Sequence, residues 1–349
     1  MHGIELSRRF FDEHVYPLLA SEFTRWLPAL SAGLLGEGSE VLGFDDAISQ
    51  DHNYSPRVVI WVADDHFAQV GQALQQRLLA AAPSHYMGYP LLDNNFIRCI
   101  AVVPREGFFY QHLGVAAFPT TNQAWLKLNE QRLLEVTAGP IFYDPQGRLQ
   151  AIIAQLAFYP DAVRYFLLRQ GVVRLSEVGA IERTIRRGDY IATALYRAWF
   201  VYFAVKFLHL QQRRYCPYRK WMGRSLTQLG AEGQLLSAKL ETLVRTSDLD
   251  AVSAEITGIL RFLGDLMLQE LGEADYSLSV ESDLCLTNFH WDILLAALDR
   301  QIPEELKELS PLITPVTFWG DLFDFAGLGG DFATLLAQNL QFLQARASQ

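Results

Sequence analysis

The stretch that decides the fold is Gly38-Ser39-Glu40-Val41-Leu42-Gly43-Phe44-Asp45-Asp46-Ala47-Ile48-Ser49-Gln50-Asp51-His52-Asn53, which stands just before the run Pro56–Val62. That run is β-branched and aromatic, and it predicts a buried strand. A Gly-Ser pair near a strand lets the backbone approach a phosphate closely, because Gly38 has no side chain and Ser39 adds a hydroxyl donor. The stretch therefore predicts a phosphate-binding turn beside a sheet.

Carboxylates follow this turn and suggest a bound cation. Asp51 stands shortly before the predicted strand, and Asp45 and Asp46 lie between it and the turn. Magnesium takes oxygen ligands, usually one or two protein carboxylates together with phosphate oxygens of the substrate. We expect Asp51 to hold the metal, with Asp45 or Asp46 folding back toward it, while Ser39 holds the phosphate. Catalysis at such a site is mostly positioning and charge neutralisation.

Three blocks in the same order resemble one protein family. The first is Gly-Ser, Gly-Phe-Asp-Asp and Ser-x-Asp-His-Asn within residues 38–53, and the second is the segment 139–147. The third is Arg187-Gly188-Asp189, followed by the segment 213–221 with its Tyr-x-Pro-Tyr-x-Lys-Trp-like pattern. Together they resemble an uncharacterised bacterial family of the nucleotidyltransferase superfamily, which has a polymerase-beta-like or kanamycin-nucleotidyltransferase-like fold with a C-terminal helical domain. The ordered set, over roughly residues 30 to 225, is far more specific than a lone Gly-Ser pair.

The resemblance implies a reaction and a set of site residues. It implies transfer of a nucleoside monophosphate from a nucleoside triphosphate (NTP) to an unknown acceptor with Mg²⁺. The catalytic residues that it implies are Asp51 and Asn53, and the metal ligands are Asp51, Asp45 and Asp46. The nucleotide-binding residues that it implies are Gly38, Ser39, His52 and Lys220.

Lys220 is the candidate for the basic side chain that the helical half supplies to the triphosphate. It belongs to a basic cluster with Arg213, Arg214 and Arg219. The alternative is a basic helix end favoured by the helix dipole. Asp189, by contrast, is predicted as an acid at a helix N-terminus and not as a catalytic group.

The second carboxylate of the superfamily motif is replaced here by Asn53. Active members carry Asp-x-Asp or Asp-x-Glu, often with a third carboxylate on a neighbouring strand. Asparagine offers a carbonyl oxygen to a cation but brings no negative charge. The predicted neighbouring strand, Phe96–Val103, contains no acid, and Asp93 and Glu106 flank it as candidate substitutes.

Three interpretations of function follow from these residues. The first is the metal-dependent nucleotidyltransferase. The second is a catalytically degenerate nucleotide-binding or protein-interaction module that retains the fold, and the third is a helical scaffold with a vestigial sheet domain. An enzyme requires a second acid within metal range of Asp51, whereas a binding module does not.

Composition limits the class of protein. The chain has 349 residues, of which half are hydrophobic, and a formal net charge of -10. This balance indicates a folded globular protein and disfavours nonspecific binding to nucleic acid. The three cysteines show no zinc-ligand spacing. The N-terminus lacks a signal-peptide pattern, and Arg197 and Lys206 interrupt the apolar window Tyr190–Leu210, which we interpret as a buried helix and not a membrane span. We therefore expect a cytoplasmic protein; neither the acceptor nor the oligomeric state follows from the sequence.

The predicted fold is α+β or α/β with two domains. Residues 1–148 are predicted as a nucleotidyltransferase-like mixed sheet with helices, and residues 149–349 as an all-α helix bundle. The predicted elements of the first domain are helix Phe10–Leu35, a short strand after Ser39, strand Pro56–Val62, helix His66–Ala82, strand Phe96–Val103, and helices Phe108–Leu113 and Gln123–Thr137. The predicted helices of the second are Leu149–Tyr159, Ala162–Gln170, Leu175–Arg186, Asp189–Arg214, Leu226–Thr246, Leu249–Leu271, Asn288–Gln301 and Gly329–Ala345.

Overall fold

The structure is a computed structural model that describes residues 1–50, 54–93, 98–273, 280–283, 286–289 and 291–307. These residues pack into two compact units. The first contains Met1–Phe118 and Arg132–Ala157, and the second contains Pro119–Gln131 and the described residues from Phe158 onward. The units are defined by packing alone, and the domain boundary between residues 148 and 149 stays a prediction.

A mixed four-stranded sheet forms the centre of the first unit. Its order is β5-β2-β1-β6, and β3 and β4 form a separate two-stranded sheet. The strands are β1 Leu30–Gly33, β2 Val58–Val62, β3 His85–Tyr86, β4 Tyr89–Pro90, β5 Ile100–Pro104 and β6 Ile141–Tyr143. The β2 and β5 assignments confirm the strands predicted around Pro56–Val62 and Phe96–Val103, as far as the described residues extend.

Strand register places the ends of three strands together. β1 runs antiparallel to β2, with Gly33 opposite Val59, and β2 runs parallel to β5, with Val58 opposite Ile100. The end of β1 therefore lies beside the starts of β2 and β5. We call this side of the sheet the Gly-Ser edge, because the chain leaves β1 there and enters the segment that contains Gly38 and Ser39.

Helices cover the sheet and make up most of the second unit. The helix α3 connects β2 to β5, as a crossover between parallel strands requires. The helices are α1 Gly3–Phe10, α2 Tyr16–Glu22, α3 Asp64–Ala81, α4 Arg105–Leu113, α5 Asn122–Trp125, α6 Glu130–Thr137, α7 Arg148–Leu156, α8 Asp161–Leu175, α9 Gly179–Arg186, α10 Tyr190–Gln211, α11 Met222–Thr227, α12 Gly230–Arg245, α13 Leu249–Glu270, α14 Asp292–Asp299 and α15 Glu304–Lys307. A π-helical turn at Phe11–Val15 and 3-10 turns at Thr24–Ala29 and Ser176–Val178 complete the helical elements.

The core of the first unit lies between α1, α3 and the sheet. Leu6 and Phe10 of α1, Leu74 of α3, and Val58 and Ile60 of β2 are fully buried in one apolar cluster. The apolar residues on one face of α1 and of α3 thus pack into the same core as the β-branched residues of β2. The predicted α+β class is confirmed, with a mixed sheet and helices first and a largely helical region after it.

The prediction of one helix over Phe10–Leu35 is wrong. The helical chain begins at Gly3, changes to a π-helical turn at Phe11–Val15, and gives way to strand β1 at Leu30. The β1 segment carries no strong strand signal, and it is a strand because its backbone pairs with both β2 and β6. The short strand predicted after Ser39 is also wrong, since the chain there forms turns.

The second unit contains one element that the sequence analysis missed. The strands β7 Val280–Asp283 and β8 Leu286–Phe289 form an antiparallel hairpin, where only helices were expected. As a consequence, the helix predicted over Asn288–Gln301 begins at Asp292 instead. The predicted helix Gly329–Ala345 lies outside the described residues.

Helix α10 is buried mainly in its C-terminal half. Phe203 and Phe207 are buried, whereas Tyr190 and Ile191 are 83% and 79% exposed. The prediction of a buried helix is therefore wrong for its first turns. By length and composition, α10 and the run Arg148–Arg186 both meet the criterion for a membrane span, which core helices of soluble proteins also meet.

We predict that Gly139→Ala destabilises the protein. A Cβ atom at Gly139 would lie 1.8 Å from the backbone oxygen of Leu34, which must move because backbone cannot rotate away. Overpacking of this kind costs about 1 to 3 kcal/mol of unfolding free energy. Denaturant unfolding measures the change. Gly223→Ala is the control, since no described atom other than those of the adjacent helix backbone lies within 4 Å of its Cβ position; equal stability of the two variants would contradict the prediction.

Candidate functional site

The segment after β1 forms an open turn at the Gly-Ser edge. Gly36 and Gly38 adopt φ angles of +102° and +136°, which favour glycine. The backbone oxygen of Ser39 accepts a hydrogen bond from the amide of Phe44 at 2.9 Å, which closes the following turn. The half-buried Ser39 makes no side-chain hydrogen bond with any described residue. We call residues 36–39 the Gly-Ser turn.

Gly38 is crowded by an ion pair. Arg57, the residue before β2, places its Nη2 atom against Gly38 and donates hydrogen bonds to the backbone oxygen of Glu37 and to Oε1 of Glu40. The side chains of Arg57 and Glu40 are each only 15% exposed. The absence of a side chain at Gly38 therefore has an immediate structural use, in addition to the phosphate approach that the sequence suggests.

A second set of ion pairs holds the other side of the turn. Arg132 of α6 contacts the carboxylates of both Glu37 and Glu135. The buried Glu135 also lies 2.8 Å from Nε2 of His112, and its backbone oxygen accepts the amide of Gly36 at 2.9 Å. Arg132 of α6 and Arg57, which precedes β2, thus contact the Gly-Ser turn from two sides.

Asp45 and Asp46 lie on the segment that follows this turn, and each has a local structural task. The Oδ2 atom of the buried Asp45 accepts the amide of Gly3 at 2.7 Å, which stabilises the N-terminus of α1. Its Oδ1 atom makes no hydrogen bond and lies 3.5 Å from Nδ1 of His2. Asp46 accepts hydrogen bonds from the amides of Ile48 and Ser49 and so caps a turn.

Tyr54 connects Asp45 with the start of β2. Its hydroxyl lies 3.4 Å from Oδ2 of Asp45 and donates to the backbone oxygen of Met1 at 3.0 Å. Burial, and then the charge of Asp45, raises the pKa of Tyr54 far above its ordinary value. The phenol therefore stays neutral and acts as a hydrogen-bond donor at neutral pH.

Three of the predicted site residues, Asp51, His52 and Asn53, lie outside the described residues. Of the two acids proposed as substitutes, Asp93 pairs with Arg98 just before β5, and so stands at the Gly-Ser edge. Glu106 stands near the start of α4, after the end of β5. The five residues of β2 separate the two edges by roughly 13 Å, so Glu106 is not a substitute ligand for a metal held beside Ser39.

Glu106 belongs to a different arrangement at the opposite edge. Asp64, at the start of α3, accepts the amides of Glu106 and Gly107 at 2.9 and 3.2 Å and so caps α4. Burial, followed by a hydrogen bond to Asp64, raises the pKa of the Glu106 carboxyl. The Asp64 carboxylate therefore has a structural role at the start of α4.

The donor set at the Gly-Ser edge suits Mg²⁺ in part. No cluster of three or more His, Cys, Asp or Glu residues in the described part of the chain could hold a metal ion. The Oδ1 atom of Asp45 is a buried carboxylate oxygen without a hydrogen bond, which is the kind of atom that ligates a hard cation. Asp46 is less suited, because its Oδ1 atom is already used in capping a turn.

Lys220 lies in the second unit, on the loop between α10 and α11. It is exposed, and its Nζ atom stands 5.0 Å from the centre of the Trp221 ring. The helix-dipole alternative fits Arg213 and Arg214, which follow the end of α10 at Gln211. It does not fit Lys220, which precedes the N-terminus of α11, where the dipole disfavours a cation. Asp189 accepts the amide of Ala192 at 3.0 Å, so its predicted capping role is confirmed.

A buried ion pair lies beneath the loop that carries Lys220. Lys206 of α10 places Nζ 2.7 Å from Oε2 of Glu130, and both side chains are at most 5% exposed. Glu130 Oε1 also accepts the amide of Cys216 at 3.0 Å, and Gln131 accepts the amide of Tyr218 at 2.9 Å. Burial alone would lower the pKa of Lys206, but the charge of Glu130 outweighs it and raises that pKa.

One turn along α10, His209 is buried and bonded on both ring nitrogens. Nδ1 lies 2.8 Å from the backbone oxygen of Val205, and Nε2 lies 2.8 Å from Oγ of Ser225. Burial lowers the pKa of His209 to about 4, so the imidazole is neutral near pH 7. Its Ser-His contact is sealed from solvent and therefore has a packing role.

Comparisons with known proteins found one matching family and a similar solved structure. Residues 125–222, less than half of the chain, match the family described as Domain of unknown function (DUF4037). No curated protein matches the chain. Among solved structures, it is similar to a nucleotidyltransferase-like protein from Exiguobacterium sibiricum 255-15, with 12% identity and a TM-score of 0.32 over 85% of this chain and 88% of that chain. A TM-score this low does not establish a common fold.

Sequence reasoning missed the ion pairs of both units. Arg57 and Glu40 are far apart in the sequence and meet only because β1 and β2 are antiparallel. Lys206 carried a usable signal, because a lysine within an apolar helix requires a buried acid when that helix packs in a core. The signal did not identify Glu130 as its partner.

We predict that Glu130→Leu is strongly destabilising, by about 3 to 5 kcal/mol, because it leaves the charge of Lys206 buried without a partner. The double variant Glu130→Leu/Lys206→Met should lose less, since no buried charge remains. Urea unfolding of both variants measures this difference. The exposed pair Arg77–Glu22 supplies the control, and Glu22→Gln should leave stability unchanged. A double variant as unstable as the single one would contradict the prediction.

We also predict that stability falls at acid pH because of His209. Its folded-state pKa, about 4, lies below the ordinary 6.5, so the unfolded chain takes up a proton first. The contribution is fully present above pH 6.5 and is lost as the pH falls toward 4, with an upper bound of roughly 3 kcal/mol. Urea unfolding at pH 7 and 5 should show a smaller pH dependence in His209→Gln than in the wild type. His85 is exposed, so His85→Gln should keep the full pH dependence of the unfolding free energy. If that free energy changes equally between pH 7 and 5 in all three proteins, His209 is not the cause.

Proposed function

We propose that this chain is a metal-dependent nucleotidyltransferase, acting in the cytoplasm, that transfers a nucleoside monophosphate from an NTP to an acceptor. The observation that carries the proposal is the Gly-Ser turn, which ends β1 beside the starts of β2 and β5. Its glycines hold positive φ angles, and its serine hydroxyl has no partner among the described residues. A turn of this kind presents amides and a hydroxyl to a phosphate.

Each candidate residue has a task under this proposal. Ser39 donates its hydroxyl to a phosphate oxygen, and Gly38 allows the close approach. Asp51 and the Oδ1 atom of Asp45 hold Mg²⁺, which when bound neutralises charge on the phosphates. Asn53 supplies a neutral carbonyl oxygen and His52 contacts phosphate, while the role of Lys220 stays a prediction from the sequence.

A second candidate function is a nucleotide-binding or protein-interaction module without catalysis. The observations that favour it are Asn53 in place of an acid and the turn-capping role of Asp46. With Glu106 at the other edge of the sheet, the acids that could complete a two-metal site are fewer than the sequence suggested. Such a module would bind an NTP and leave it unchanged.

We predict Mg²⁺-dependent binding of a nucleotide that requires Asp51. Calorimetric titration of ATP and then GTP, with and without Mg²⁺, is the measurement. Asp51→Ala should abolish the Mg²⁺-dependent part, since the metal loses its main anionic ligand. Asp65→Ala is the control, because Asp65 is an exposed acid on α3 of the same unit.

The outcomes separate the two functions. Binding that is lost in Asp51→Ala, together with release of pyrophosphate when acceptors are supplied, supports the enzyme. Binding without turnover supports the module. If neither nucleotide binds the wild type, the enzyme and the nucleotide-binding module are both wrong, and a protein-interaction module or the scaffold interpretation is favoured.

A further inference from the structure

We propose that Arg57 is a phosphate-binding residue of the Gly-Ser turn, and that Glu40 is an internal counter-ion that the phosphate displaces. This inference rests on the proposed function, because it assigns the anion at the same turn. It adds a cationic partner from the first unit itself, which the sequence motifs do not supply. It also adds a carboxylate that competes with the nucleotide.

The position of Arg57 carries the first step. A Cβ atom at Gly38 would lie 2.5 Å from Nη2 of Arg57, so the guanidinium is packed directly on the backbone that is expected to approach a phosphate. A phosphate bound at the Gly-Ser turn would therefore meet this cation. Arginine suits such a contact, because its planar guanidinium can donate two parallel hydrogen bonds to phosphate oxygens.

The hydrogen bonding of Arg57 carries the second step. Its Nη2 donates to the backbone oxygen of Glu37 at 2.6 Å and to the carboxylate of Glu40. Its Nε atom is buried and has no hydrogen-bond partner among the described residues. A guanidinium that serves only to fasten the turn is expected to have its buried donors satisfied. The Nε atom is therefore a further donor of Arg57 that an oxygen of an incoming phosphate could satisfy.

Glu40 carries the third step, because it shows that this place accepts an anion. Both of its carboxylate oxygens lie within 2.7 Å of the Cβ position at Gly38, in the space that a side chain would fill. A carboxylate and a phosphate present the same kind of oxygen to a guanidinium. Both cannot use the same Nη2 hydrogen, so a phosphate that takes this hydrogen must displace Glu40, and a phosphate that uses another N–H of Arg57 is still repelled by the nearby Glu40 carboxylate.

The expected consequence is that the two side chains affect anion affinity in opposite directions. Removing the Arg57 charge should weaken binding, whereas removing the Glu40 charge should strengthen it. A pair that only fastens the turn to β2 would behave differently. Both substitutions would then destabilise the fold, and neither would strengthen binding.

We predict that Glu40→Gln tightens binding about five-fold and that Arg57→Gln weakens it about ten-fold or more, as expected for one charge-assisted hydrogen bond. Calorimetric titration of the full chain with MgATP, and separately with inorganic tripolyphosphate, measures both. Arg77→Gln is the control, because Arg77 forms an exposed ion pair with Glu22 on the same unit. It should leave both affinities unchanged.

Every outcome of this titration decides one of the two proposals. If the wild type binds MgATP and neither Arg57→Gln nor Glu40→Gln changes the affinity by more than two-fold, Arg57 has no role in binding and the proposed function stands. Should Arg57→Gln fail to fold, Glu40→Gln still decides, because Arg57 remains in place and only its competitor is neutralised. Tripolyphosphate binding that depends on Arg57, without MgATP binding, would confirm the anion site and overturn the nucleotide function. If the wild type binds neither probe, both proposals are wrong.

Discussion

The antiparallel register between β1 and β2 is the constraint on which the candidate site depends. Because Gly33 lies opposite Val59, the chain leaves β1 where β2 begins. This pairing sets where the Gly-Ser turn lies relative to the residues that precede β2. Arg57 reaches Gly38 only because it immediately precedes β2, and Arg132 reaches Glu37 because β6, after α6, pairs with the other side of β1. A shift of one residue in the β1–β2 register would turn the side chains of one strand to the opposite face of the sheet. Arg57 would then be separated from Gly38.

Much of the fold could be predicted from periodicity. The β-branched run before Ala63 and the apolar spacing of α3 are local signals, and both elements appear where they were expected. The strand β1 could not be predicted in the same way. Its four residues, Leu30–Gly33, follow a long helical pattern, and only pairing with β2 and β6 makes them extended. Pairing between distant segments is absent from any local window of sequence, and the same reason applies to the hairpin of β7 and β8.

The candidate site also has features that local sequence predicts and features that it does not. The Gly-Ser turn and the following acids were found from residue types and spacing, which are local. What the sequence could not provide is how each acid is used. Asp45 caps α1 with one oxygen and keeps the other without a hydrogen bond, whereas Asp46 is engaged in its own turn. Glu106 seemed equivalent to Asp93 because both flank β5, yet a parallel strand sends its two ends to opposite edges of the sheet. The distinction requires strand direction, which composition and spacing do not contain.

Electrostatic balance explains how a site for a polyanion can exist on an acidic chain. Around the Gly-Ser turn, Glu37 and Glu40 compensate Arg132 and Arg57, so these cations are held in place without a strongly positive surface. A phosphate that displaces a carboxylate from arginine exchanges one anion for another. The released carboxylate is hydrated again, and this offsets part of the cost of removing water from the phosphate. The net gain is smaller than for an unpaired arginine, but the arginine is already oriented. Under the proposed function, selectivity would then favour ligands that also use Ser39 and a metal ion, because a simple anion would gain less from Arg57 alone.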